Sequence, residues 1–231
     1  MKSAVLARIA EAQRRRQPLL VVTRLGDGAQ CLVDAERAEG DLSLSSAALA
    51  AAQGLLSSGC SMSIPGADGL FARAYVPSPR LLIVGAVHIA QVLAPMADAA
   101  GFEVIVIDPR GAFASAQRFP GVQLTDEWPD EALGRLGLDG ATALVALSHD
   151  PKLDDPALEL GLPSQVFYIG ALGSRRTHEK RLERLRAAGL ESLTGRIHSP
   201  IGLDLGGRSP AEIAVAILAE VIQVRYRGER T

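Results

Sequence analysis

Residues 81–108 constrain this chain more than any other stretch. The apolar run RLLIVGA enters a glycine turn, HIAQVLAPMADAAG follows with helical periodicity, and a second apolar run, FEVIVID, stops on an acid. Strand, glycine turn, helix and strand in that order form a dinucleotide-binding βαβ unit. Gly85 stands at its first turn and Asp108 about 20 residues on, the usual distance of a ribose-binding acid. The second fingerprint position, normally glycine so that a pyrophosphate approaches the backbone, is Val87, whose β-branched side chain obstructs that approach. Ala90 at the third position is an accepted substitute. The layout therefore specifies the fold more firmly than it specifies NAD.

Strands alternate with helices throughout the region that begins at Arg80, which predicts parallel strands in a doubly wound sheet. Strands are expected near 81–85, 103–108, 121–124, 142–147, 165–169 and 195–198, with helices between them. Ser209-Pro210-Ala211-Glu212 is a capping box with proline at the first helical position, so the last helix begins there and runs to about Tyr226. Asp155-Pro156 predicts a similar start for the helix that ends at Gly161. Pro95 falls inside the helix after Gly85 and removes one of its backbone hydrogen bonds.

Before Pro77 the pattern is different. Residues 3–16 read as a short amphipathic helix, and PLLVVTR and AQCLVD flank Gly26-Asp27-Gly28 as a hairpin. An Ala/Leu helix is expected from about Ser45 to Leu56, and 61–64 with 70–76 make a second hairpin around Pro65-Gly66-Ala67-Asp68-Gly69. Residues 1–76 thus read as a small α+β domain, Pro77-Ser78-Pro79 as an extended linker, and 80–231 as a Rossmann-like domain.

With 231 residues, 48% of them hydrophobic, the chain buries a full core. A net charge of −2 gives no general attraction to nucleic acid or to an anionic membrane surface. No apolar run reaches the roughly 20 residues that cross a bilayer. Arg14, Arg15 and Arg16 follow a polar, alanine-rich start without the apolar core of a secretory signal, so a cytoplasmic protein is expected. Cys31 and Cys60 have no partners at metal-ligand spacing, which argues against a zinc site or a disulfide framework.

In an open parallel sheet, ligands bind beyond the carboxyl ends of the strands. His88, His149, His178 and His198 all follow predicted strands at that edge. In GALGSRRTHEKR, Gly170 and Gly173 make a bend, Ser174 caps a helix, and Arg175, Arg176 and Lys180 fall in its first two turns. Cations oppose the positive end of the helix dipole unless an anion neutralises them, and the planar guanidinium suits phosphate. A solvated basic face paired with Glu179 and Glu183 is the plainer reading of the same residues. Ser148, His149 and Asp150 are neighbours in sequence, and adjacent side chains diverge where a catalytic triad must converge, so a ligand-contacting loop is expected instead. Gly202, Asp204, Gly206, Gly207 and Arg208 form a glycine-rich loop that permits close approach to a ligand. Cys60 would suit sulfur transfer if exposed, although a lone cysteine is more often a small buried apolar residue.

LLIVGAVHIAQ, VIDPR, RFPG, SHDPKLDDPAL, YIGALGSRR and IGLDLGGRSPAEIAVAILAE closely resemble the XdhC/CoxI family of molybdoenzyme accessory proteins. The resemblance implies an N-terminal domain followed by a Rossmann domain, and a homodimer. It also implies binding of molybdenum cofactor (molybdopterin, in mononucleotide or dinucleotide form), its protection during sulfuration, and its delivery to a target molybdoenzyme of the xanthine dehydrogenase or carbon monoxide dehydrogenase type. A cysteine desulfurase is an implied partner, and the protein is a chaperone more than an enzyme.

On that reading Gly85, Ala86, Val87 and His88 hold the phosphate end by backbone N–H groups, together with Gly170, Gly173, Ser174, Arg175 and Arg176. His149, Asp150, Gly202 and Asp204 line the pterin side. This chain departs from the family at Val87 and in the region before Pro77, where Ser58-Gly59-Cys60 stands in place of a longer glycine-rich stretch ending in Gly-Gly-Cys. The alternative is an NAD(P)-dependent oxidoreductase with Asp108 on the adenosine ribose and Arg110 accommodating a 2′-phosphate. A regulatory nucleotide sensor is a third reading, and fold alone does not choose among the three.

Overall fold

The computed structural model describes residues 3–226. The chain divides into two compact units, Met1–Pro77 and Ser78–Thr231. In the first, α1 (Ser3–Arg14) precedes β1 (Leu19–Arg24), β2 (Gln30–Val33) and β3 (Ala38–Gly40); α2 (Ser46–Ser58), β4 (Met62–Ser63) and β5 (Leu70–Tyr75) follow. Both expected hairpins form, and β1 also pairs antiparallel with β5, giving the order β3-β2-β1-β5-β4.

Alternation along β1 and β2 gives that sheet two apolar faces. Leu20, Val22, Cys31 and Val33 pack with Ala52 and Leu56 of α2, while Leu19, Val21 and Leu32 pack with Val5 and Ile9 of α1. Strand β3 was not expected, because all three of its residues are exposed and carry no apolar alternation.

The second unit contains β6 (Arg80–Val84), α3 (His88–Ala99), β7 (Glu103–Ile107), β8 (Gln123–Thr125), α4 (Pro129–Leu136) and β9 (Thr142–Ala146). It continues with α5 (Pro151–Gly161), β10 (Tyr168–Ala171), α6 (Arg175–Ala187), a 3-10 turn (Glu191–Arg196), β11 (Ile197–His198) and α7 (Pro210–Arg225). Its six strands are all parallel, in the order β11-β10-β9-β6-β7-β8. Numbered within the unit this is the doubly wound order 3-2-1-4-5-6, which reverses between β6 and β9.

Helices cover both faces. Leu81, Ile83, Val104 and Val106 meet Leu93 and Ala97 of α3 and Ile217 and Val221 of α7. On the other face Leu82, Val84 and Ile107 meet Leu133 of α4 and Leu153 of α5, and Ile169 and Ala171 meet Leu158 of α5 and Leu185 of α6.

Several boundaries differ from the sequence reading, among them β8, which begins at Gln123 and not at residue 121, and α1, which ends at Arg14 and not at residue 16. Helix α5 starts at Pro151, where the Asp150 side chain accepts a hydrogen bond from the Lys152 N–H at 3.0 Å, and not at Asp155-Pro156; Pro156 lies inside the helix. Strand β10 begins at Tyr168 instead of residue 165. The strand expected over 195–198 is reduced to two residues, because the 3-10 turn runs to Arg196, whose guanidinium donates to the Ser164 and Val166 carbonyls. Helix α3 is continuous across Pro95.

Candidate functional site

The crevice of a doubly wound sheet opens where the strand order reverses, between the loops that follow β6 and β9. Gly85, after β6, has φ +104°, and a Cβ placed there would lie 2.8 Å from the Ser148 backbone. Glycine at 85 is thus required by the loop after β9 itself. Ala86 is buried, Val87 is half-buried as the N-cap of α3 without a side-chain cap bond, and His88 is exposed as the first helical residue.

Asp108 sits at the end of β7, as its spacing predicts, but it is placed differently from a ribose-binding acid. It is 0% exposed. Its Oδ2 accepts from the Ala86 N–H (2.8 Å) and from Arg110 Nη2 (2.7 Å), and its Oδ1 accepts from the Arg110 N–H (3.0 Å) and Nε (2.8 Å). Burial pushes this carboxyl up, but the Arg110 and Ala86 bonds outweigh it and hold the pKa below the usual value. Four donors saturate a carboxylate, so Asp108 ties the glycine turn to β7 and holds Arg110. Arg110 in turn lies 4.6 Å from the centre of the exposed Phe113 ring.

The loop after β9 carries Ser148, His149 and Asp150. Ser148 Oγ donates to Asp154 Oδ1 at 2.6 Å and accepts from the Asp150 N–H at 3.0 Å. The Asp150 carboxylate caps α5. The hydroxyl is thus engaged with Asp154 and not with His149, and the three neighbours form no triad. His149 is exposed with φ +62°, a left-handed conformation that is uncommon outside glycine and recurs at functional sites.

Beside this loop lies an open cleft of about 280 Å³, lined by His149, Pro151 and Asp154 from the start of α5 and by Arg176, Thr177, Lys180, Arg181 and Arg184 along one face of α6. Ser174 caps α6 by accepting from the Thr177 N–H at 3.2 Å. Arg176 and Lys180, both exposed, line the cleft; Gly85, Gly170, Gly173, Arg175, Gly202 and Asp204 do not.

Sequence reasoning missed the two residues beneath this basic face. Arg181 is 2% exposed; its Nη2 donates to the Leu172 carbonyl at 2.8 Å and lies 3.8 Å from Asp154 Oδ2, while Nε and Nη1 are buried without a hydrogen-bond partner. Asp154 is also 2% exposed, and burial pushes its carboxyl above the usual value despite the Ser148 bond and Arg181. Burial lowers the Arg181 pKa, and it lowers that of His178, whose Nδ1 is likewise buried without a partner. No local pattern announces a buried arginine seven positions after a cap. The only available signal was the surplus of basic residues on α6.

The third expected group is engaged elsewhere. Gly202 has φ +91°, and a Cβ there would lie 2.9 Å from the α7 backbone at Ala216 and Ile217, so its glycine serves chain packing. Its N–H donates to Glu220 Oε2 at 2.8 Å, as does the Tyr168 hydroxyl at 2.6 Å, and His198 Nδ1 lies 3.0 Å from Glu220 Oε1. Asp204 is exposed on the same loop. Cys31 is buried, as expected of a lone cysteine, whereas Cys60 is exposed. Among the described residues no group of three or more His, Cys, Asp or Glu could hold a metal ion, and no helix is long and apolar enough to cross a membrane.

A family model described as the XdhC Rossmann domain matches residues 81–221. A probable xanthine dehydrogenase subunit of Bacillus subtilis (strain 168) is 33% identical over 159 residues, which is 68% of this chain and 46% of that protein. The molybdenum cofactor insertion chaperone PaoD of Escherichia coli (strain K12) is 33% identical over 160 residues, 69% of this chain and 44% of that one. The chain spans less than half the length of these curated relatives. A crystal structure of a xanthine dehydrogenase from Bacillus halodurans shares the fold, with a TM-score of 0.74 at 21% identity over 98% of this chain and 68% of that chain. By its βαβ unit, its strand order and the match over 81–221, this chain belongs to the XdhC Rossmann domain family.

Proposed function

We propose that this protein binds molybdenum cofactor and assists its insertion into a molybdoenzyme of the xanthine dehydrogenase or carbon monoxide dehydrogenase type. The observation that carries the reading is the cationic cleft beside the reversal of strand order, in a chain 33% identical to a protein named as a molybdenum cofactor insertion chaperone. The residues present suit such a group. A buried guanidinium with two unpartnered nitrogens calls for an anion, and the cofactor carries a phosphate.

The chemistry that the cofactor supplies is the redox chemistry of the target enzyme. The task of this chain is to bind, orient and release. The open N-terminus of α3 at Val87 and His88 offers backbone N–H groups to the ligand, Arg176, Lys180 and Arg181 offer positive charge, and His149 stands exposed on the crevice loop. In this reading Asp150 and Ser174 act indirectly, by fixing the first turns of α5 and α6. Protection during sulfuration with a cysteine desulfurase, a homodimeric assembly in the cytoplasm, and the mononucleotide or dinucleotide form of the cofactor are finer parts of the same proposal.

The test is to purify the chain from a host that makes the cofactor, measure its molybdenum by mass spectrometry, and measure the pterin it releases by fluorescence after oxidation. Co-purification of both, together with faster reconstitution of an apo-molybdoenzyme, is expected. A chain that carries neither and leaves reconstitution unchanged overturns the reading.

A further inference from the structure

We infer that the cleft between the start of α5 and the face of α6 is a phosphate-binding site whose receptors are Arg176, Lys180 and the buried Arg181. The inference rests on the cofactor-binding reading and deepens it: the anion is the phosphate that the pterin bears, as a monoester or within a pyrophosphate.

Arg181 supplies the decisive observation. Buried polar groups in proteins are almost always hydrogen-bonded, and charged ones more strictly so. This guanidinium is 2% exposed and lines the cleft, yet only Nη2 has a partner, the Leu172 carbonyl. Asp154 does not complete the set, because its Oδ2 stays 3.8 Å from Nη2 and its Oδ1 is taken by Ser148. Nε and Nη1, buried beneath the cleft, have no acceptor among the described residues, and Asp154 is the one acid in a lining that also holds Arg176, Lys180 and Arg184. Arg184 is bound to Asp155, outside the lining, and Arg176 and Lys180 have no acidic partner among the described residues.

The local backbone supports the same ligand. Arg176, Thr177, Lys180, Arg181 and Arg184 recur at helical spacing on one face of α6, so their side chains converge on one strip beside the positive ends of α5 and α6. Thr177 adds a hydroxyl within that strip. Arginine and lysine around a tetrahedral oxyanion form charge-assisted bonds, and a phosphate would neutralise the charges that otherwise oppose the start of α6. Ser148 touches both this site and the glycine turn. It donates to Asp154 beside Arg181, and its backbone excludes any side chain at Gly85. Ser148 would thus link a phosphate held by Arg176, Lys180 and Arg181 to the glycine turn after β6.

Calorimetric titration of the full chain at low salt with inorganic phosphate, and separately with pyrophosphate, tests this. Saturable binding at one site is expected, tighter for pyrophosphate if the dinucleotide form is the ligand and comparable for both if the monoester is. The R176A/K180A double variant should weaken binding by about tenfold to a hundredfold, from the loss of two charge-assisted contacts. Both positions are exposed, so folding is expected to survive, and circular dichroism verifies it. Arg181→Met should abolish binding; if that variant does not fold, the double variant decides alone. Arg175→Ala, outside the lining, should leave affinity unchanged.

Absence of saturable heat, or affinity equal in wild type and double variant, overturns the site. If the double variant retains molybdenum cofactor as well as the wild type does, the site falls and the cofactor reading stands. If phosphate binds in the expected pattern but the purified chain never carries cofactor, the cofactor reading falls and the site stands.

Discussion

Gly85 shows how a residue is legible while its reason is not. Its place after an apolar strand marks it as the first fingerprint glycine, whose usual work is to make room for a ligand. Here the space a side chain would take is filled by Ser148, and the backbone is held at φ +104°. Gly85→Ala therefore incurs both strain and overpacking and should lower unfolding free energy by at least about 2 kcal/mol in urea titration. A glycine kept only for a ligand would show an unchanged midpoint and weakened binding instead. Arg175 and Arg176 were equally visible in the sequence, but the burial of Arg181 and Asp154 was not, since a charged residue on a helix reads as solvated until its neighbours are known. Gly202, expected to line the pterin side, and His198, one of the four histidines at that sheet edge, are drawn instead onto Glu220, an acid distant from them in sequence. Burial pushes that carboxyl up, but Tyr168, Gly202 and His198 outweigh it and hold its pKa below the usual range.

Most elements were legible because their apolar periodicity is strong, whereas the start of α5 slipped because the sequence offers it twice. Two Asp-Pro pairs, Asp150-Pro151 and Asp155-Pro156, offer equivalent local signals for the start of α5. The fold selects the first, because Asp154 must then fall on the inward face, where it meets Ser148. That assignment has consequences of opposite sign. Asp150→Ala should cost about 1 kcal/mol, the usual loss of an N-cap. Pro156→Ala should stabilise by about 1 kcal/mol, because the proline removes a backbone bond to Lys152 within the helix and the gain exceeds the extra freedom given to the unfolded chain. Urea midpoints of the two variants measure this, and a neutral Asp150→Ala with a destabilising Pro156→Ala would put the helix start at Asp155. Strand β3 was illegible for a different reason: its backbone pairs with β2 while its side chains are all in solvent.

At the scale of the whole molecule, a fold known for dinucleotides has kept its topology while the parts that recognise a dinucleotide have been put to other use. The sheet reverses between β6 and β9 as the doubly wound pattern requires, so the crevice is in its ordinary place. Three determinants of NAD binding there are changed. Val87 stands where a glycine admits pyrophosphate, the Gly85 turn is packed on Ser148, and the Asp108 carboxylate spends four hydrogen bonds on Ala86 and Arg110 with none of its surface exposed. A ribose hydroxyl would have to displace Arg110 from a charge-assisted pair whose carboxylate is fully buried and whose guanidinium is 36% exposed, which disfavours ribose binding on that side. Positive charge has meanwhile accumulated on α6, on the β9 and β10 side of the crevice, while the adenosine side beyond β7 has lost its free acid. Calorimetric titration with NAD(H) and NADP(H) should accordingly give no saturable heat up to millimolar concentration, under conditions where pyrophosphate does. Saturable NAD(H) binding that Asp108→Asn abolishes would mean that Arg110 releases the carboxylate on demand, and the division of the crevice into an anion side and a closed ribose side would have to be abandoned.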